Sequence, residues 1–192
     1  MVTDAESPGG RALAPGGLGV VQDFVNTLDV EGGWEYLVRA ESLAKWFERW
    51  GLTDGRPPLS YADLARAREL REGLRALLLV NTGEALDAGA RAALDRAARA
   101  APLVLAIDAD GGGRLAPAGR GLEGAFGRLL AIVATAIADG SWARLKVCRS
   151  DSCRWAFYDA SKNRSGAWCT MAVCGNRNKV RAYQRRRRGA EE

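Results

Sequence analysis

Apolar residues recur along most of this chain at three- and four-residue intervals, the spacing that gathers side chains onto one face of a helix. Leu18, Val21, Phe24, Val25 and Leu28 define a first amphipathic helix. Leu43, Trp46, Phe47 and Trp50 define a second, with Gly51 as its stop. A loop at 54–58 follows. Ser60 and Asp63 then form a capping-box pattern at the head of a long third helix, in which Leu64, Ala67, Leu70, Leu74, Leu77 and Leu78 share a face. Residues 81–83 interrupt it, and Leu86, Ala90, Leu94 and Ala97 carry a fourth helix over 87–100. Residues 122–138 are apolar almost all round, the pattern of a central core helix.

Between the fourth and fifth helices the period changes. Residues 103–117 read as an apolar strand, a Gly-rich turn and a return strand, which predicts a β-hairpin. Asp108, Asp110 and Gly113 mimic the start of a calcium loop. Such a loop needs a bidentate Glu where Gly119 stands, so the plain hairpin is preferred. Residues 1–17 offer little to bury and read as a flexible tail. The helical part spans 18–140.

Composition adds an asymmetry. The 192 residues carry a net charge of +5, but residues 144–188 hold 13 Lys and Arg against two acids. A mildly acidic body thus precedes a strongly basic end, which suits a polyanionic partner. Histidine is absent, which excludes Ser-His-Asp and Cys-His catalysis and all histidine metal ligation. No nucleophile–base pair or phosphate-binding Gly loop is visible, so the chain does not read as an enzyme. The most apolar run, 129–138, is about half what a membrane span requires, and no signal peptide is evident. The expectation is a soluble, cytoplasmic protein without a membrane partner.

The four cysteines, Cys148, Cys153, Cys169 and Cys174, lie within 27 residues as two Cys-x4-Cys pairs. Two tight turns of this kind can bring four thiolates to the corners of a tetrahedron around one metal ion. Structural zinc, one ion per chain, fits better than two disulfides, unrelated buried thiols or an iron–sulfur cluster. Segments 144–148 and 155–159 read as short strands around the first pair, and a basic helix follows Cys174. The order strand, turn, strand, loop, cysteine pair, helix is treble-clef-like. The expected fold is therefore mainly α with a small β-hairpin (α+β): a helical N-terminal domain and a C-terminal zinc finger over 144–188. So small a finger has too little core to fold without metal, and it is expected to unfold alone when the metal is lost, leaving the helical domain intact.

The stretch from Leu145 to Arg186, which contains the tetrapeptide Cys174-Gly175-Asn176-Arg177, resembles the CGNR zinc-finger family. The segment "DFVNTLD" (23–29) resembles the start of the ABATE domain that accompanies that finger. The resemblance implies a bacterial stress-linked transcription regulator, with the four cysteines as zinc ligands and the finger binding DNA. Arg177, Asn178, Lys179, Arg181, Arg185 and Arg186 are then the candidate nucleic-acid contacts, with duplex DNA the expected partner. Asn176 is expected to cap the helix. RNA or ribosome binding, and a zinc-stabilised protein-interaction module, stay open as alternatives. So do a homodimer and a small-molecule effector of the N-terminal domain, with Asp23, Asn26 and Thr27 the candidate ligand or partner residues; capping or local side-chain hydrogen bonding is the alternative role for these three.

Overall fold

The computed structural model describes residues 12–188. It is an α+β fold, about half helical, with three small antiparallel strand pairs. The body consists of α1 (Leu18–Val25), α2 (Ala40–Arg49), α3 (Tyr61–Val80), α4 (Ala88–Ala100) and α5 (Gly121–Ala138). The hairpin β3 (Leu103–Ile107) and β4 (Gly113–Pro117) joins α4 to α5, pairing Leu105 with Leu115 at its centre. A shorter pair, β1 (Leu28–Asp29) and β2 (Trp34–Glu35), links α1 to α2. The C-terminal segment adds β5 (Leu145–Val147), β6 (Ala156–Tyr158) and α6 (Asn176–Arg188).

Local chemistry explains the element ends. The Ser60 hydroxyl accepts the Asp63 amide while the Asp63 carboxylate accepts the Ser60 amide, closing the predicted capping box of α3. Gly51 follows α2 at φ +62°, a conformation open to glycine and strained for most other residues. Gly127 of α5 lies against Pro117 of β4, and a Cβ there would stand 2.7 Å from the proline ring. That close approach seats the hairpin on α5.

The first helix is shorter than its apolar period suggests. It ends at Val25, and Leu28 belongs to β1, opposite Glu35. The cause is long-range. The Arg75 guanidinium donates to the Val25 and Leu28 carbonyls, and Asn26 turns its side chain toward β6. Of the expected tail, residues 1–11 lie outside the described residues. Ala14 is buried, and its amide donates to Gln22 Oε1 at 2.7 Å.

One core runs through body and finger. Phe24, Trp46, Phe47, Leu70, Leu74, Phe126 and Leu129 cluster with Leu145, Val147 and Ala156 from β5 and β6. One side of the finger's hairpin completes the body's core, which argues against independent folding of the helical domain. By length and composition α5 could cross a membrane. Half of it is buried within the protein, and it packs on α1, α4 and β4 as a core helix.

Candidate metal centre

The first cysteine pair sits on a turn between β5 and β6. The Cys148 amide donates to the Trp155 carbonyl, and the Cys153 and Arg154 amides both reach Ser150 O, which tightens the turn. Arg154 takes φ +52°, and the Arg75 guanidinium of the body holds its carbonyl. The second pair arrives from a loop that runs back beside the first cysteine turn, where the Arg149 amide donates to Ala167 O. Cys169 precedes a helical entry at Thr170, and Cys174 lies inside the first turn.

All four thiols are buried, and their sulfurs lie within 4.8 Å of one another. The Cys153–Cys169 and Cys169–Cys174 Sγ distances are both 3.6 Å. A tetrahedral zinc tetrathiolate with Zn–S of about 2.3 Å has edges of roughly 3.8 Å, so the sulfurs already stand close to that geometry. The donor set is all sulfur, and the closed set of four leaves no position for substrate. These residues fit one structural Zn2+, held by Cys148, Cys153, Cys169 and Cys174.

The electrostatics of the sulfurs point the same way. Hydrogen bonds from Cys153 and Cys169 draw the Cys148 thiol down to about 2. That thiolate pushes Cys153 up to about 12 and Cys169 higher still. Burial raises Cys174. Four crowded sulfurs thus accept one negative charge and resist the next. A divalent cation at their centre lets all four ionise. Trp155, Phe157 and Trp168 pack around the sulfurs, which makes these aromatics the core of the finger.

The helix entry differs from the expected cap. Residues Met171–Gly175 form a π-type turn continuous with α6, and Thr170 caps it by accepting the Val173 amide at 3.1 Å. Asn176 lies inside the helix and bonds back to Ala172 O. Asn178 donates to the carbonyl of the ligand Cys174 at 2.8 Å. Arg177 is half-buried and pairs with Glu31 on the β1–β2 turn, a contact that raises its pKa. Lys179, Val180, Arg181, Tyr183, Gln184 and Arg187 are exposed. The side chains of Arg185 and Arg186 lie outside the described residues.

Asp23, Asn26 and Thr27 are brought together, facing inward. One Asp23 oxygen accepts both the Trp46 and Trp50 indole N–H groups, at 2.7 and 2.8 Å. Thr27 Oγ1 donates to Phe24 O and accepts from Arg71. The Asn26 amide accepts the Ala156 N–H at 2.8 Å and donates to the Ala156 carbonyl at 2.9 Å, as a neighbouring strand would. Arg71, also buried, makes a two-pronged contact with Glu35 at 2.7 and 2.8 Å. Glu72 links Arg71 to Arg75. Sequence reasoning singled out Asp23, Asn26 and Thr27 but missed Glu35, Arg71, Glu72 and Arg75, although Arg71 stands in phase with Leu64, Ala67, Leu74 and Leu78.

A family model described as CGNR zinc finger matches residues 144–187. The model for ABATE, described as "Putative stress-induced transcription regulator", matches residues 19–140. No curated protein matches the chain.

Proposed function

The chain belongs to the ABATE family and carries a CGNR zinc finger after that domain, and from that premise we propose that it is a cytoplasmic bacterial transcription regulator that grips duplex DNA through α6. One observation carries the reading. A helix with seven cations and no acid starts at the metal centre, and beyond Asn178 its described side chains are exposed. The zinc site fixes where that helix starts, and the positive charge spread around it suits phosphates on both sides of a groove.

Asn178 is committed to Cys174 O, which favours a grip on the phosphate backbone over base reading by that residue. The test is binding to duplex DNA, duplex RNA and single strands over a range of salt. With four or five phosphate contacts, log K against log salt for duplex DNA has a slope near −4. Replacing Arg177, Lys179 and Arg181 by Ala weakens binding to all sequences and flattens that slope. Preference for RNA would move the protein to the ribosome-associated alternative. Partner capture that survives high salt, with no duplex binding, would make the finger a protein-docking module.

A further inference from the structure

Beyond α6, we propose that the loop 160–165 is a second contact to duplex DNA, a rigid projection that places Lys162 and Arg164 on phosphates. The proposal rests on the DNA-binding reading above and adds a site to it.

The loop leaves the end of β6 opposite the cysteine turn, and its backbone is held at nearly every step. The buried Lys146 ammonium spends its three donors on Asp159 Oδ2 at 2.8 Å, Gly166 O at 3.2 Å and Arg164 O. The buried Asp159 carboxylate accepts the Ser161 and Gly166 amides at 3.0 and 2.7 Å. Arg144 donates to the Asp159 and Ser161 carbonyls, both at 3.0 Å. Gly166 passes so close that a Cβ would meet Asp159 Oδ2 at 2.8 Å. Arg164 adopts φ +50° at the tip.

This is an expensive way to hold a loop. A buried ion pair gives up the hydration of both ions and is often no more stabilising than apolar residues in its place. What Lys146 and Asp159 secure here is one loop conformation, and the groups it displays are outward-facing and unspent. Ser161, Lys162, Asn163, Arg164 and Ser165 are all exposed. Among the described residues nothing pairs with the side chains of Lys162 or Arg164. From Ala160 to Arg188 the chain carries nine cations and no acid, with the second cysteine pair between loop and helix. Strands of three residues separate the cysteine turn from the loop, roughly 10 Å at about 3.3 Å per residue. A finger of those dimensions can offer loop and helix to one duplex, whose major groove is about 12 Å wide.

The experiment compares the full zinc-loaded chain with the double variant Lys162→Gln/Arg164→Asn. Asn tolerates the positive φ at 164, and the Lys146 cage bonds only the backbone there. Zinc content and thermal unfolding serve as controls for the fold. With a generic duplex as probe, the double variant is expected to lower the magnitude of the salt slope by about 2 and to weaken binding to all sequences alike. An unchanged slope in this variant, alongside a flattened slope in the α6 triple variant, overturns the loop contact and leaves the DNA-binding reading standing. Absence of duplex binding by the unaltered chain overturns both.

Discussion

Asn26 shows how a single side chain can stand in for a strand. Its amide offers Ala156 the same donor and acceptor that a backbone partner offers. Asn26→Ala leaves the buried Ala156 N–H without a partner and its carbonyl with only the longer bond from Gln22 Nε2 at 3.3 Å, which costs roughly 1–3 kcal/mol in all. Urea unfolding is expected to show a lower midpoint with the slope unchanged, whereas an exposed change such as Arg181→Ala moves the midpoint little. Asp159 supplies a pH signature. Burial pushes its carboxyl up, but hydrogen bonds from Lys146, Ser161 and Gly166 outweigh that and hold it well below the usual carboxylate range. A carboxyl depressed on folding stabilises the protein above its unfolded pKa, about 3.9, and that contribution is lost as pH falls further toward the folded value. Asp159→Asn is expected to be less stable than the unaltered chain at pH 7, with the gap narrowing below about pH 4. A gap that stays constant across that range would mean the carboxylate charge is not what holds the loop.

The elements show what local pattern can and cannot specify. The capping box of α3, the glycine stop of α2 and the hairpin at 103–117 rest on neighbours in sequence, so their residues announce them. The two-residue strands β1 and β2 carry no period long enough to detect. The end of α1 and the entry to α6 were misplaced because their determinants lie elsewhere: Arg75 for the first, the cysteine geometry and Thr170 for the second. The zinc ligands were legible because four identical donors at repeated spacing need no fold to be noticed. Arg71, Lys146 and Asp159 were not, since a charged residue reads as exposed until its partner is placed beside it. Close packing gives a contrast at this scale. Gly127→Ala drives a Cβ into Pro117, a rigid ring, and should cost about 1–3 kcal/mol by prising β4 from α5. In Gly175→Ala the Cβ crowds the end of the exposed Met171 side chain, 2.7 Å from Sδ, which can swing aside, and meets Trp168 Cδ1 at an ordinary 3.5 Å. Thermal unfolding of the two variants should separate them clearly, with zinc retained in both.

At the scale of the molecule, the shared core changes what metal loss should do. Leu145, Val147 and Ala156 complete the cluster built by α1, α3 and α5, and Arg75 ties the cysteine turn to the body. Stripping zinc with a chelator, or replacing Cys169 by Ser, should therefore lower the melting temperature of the helical signal itself, in one transition with the finger. Two separate transitions, with the helical one unmoved, would show that the body stands without the finger's strands. The basic helix projects beyond this core, so shortening the chain after Arg181 should leave melting nearly unchanged while weakening polyanion binding.

The pairing of Asn26 with Ala156 spans 130 residues of chain. During synthesis α1 is made about 130 residues before the strand that Asn26 completes. Until then Asn26 lacks its strand partner, and the body's core lacks part of one wall. Contacts so distant in sequence slow folding, and an incomplete core is open to wrong association. Metal uptake by the late-made cysteines would then act as the closing step of biogenesis, converting a waiting, partly assembled nascent chain into the finished protein.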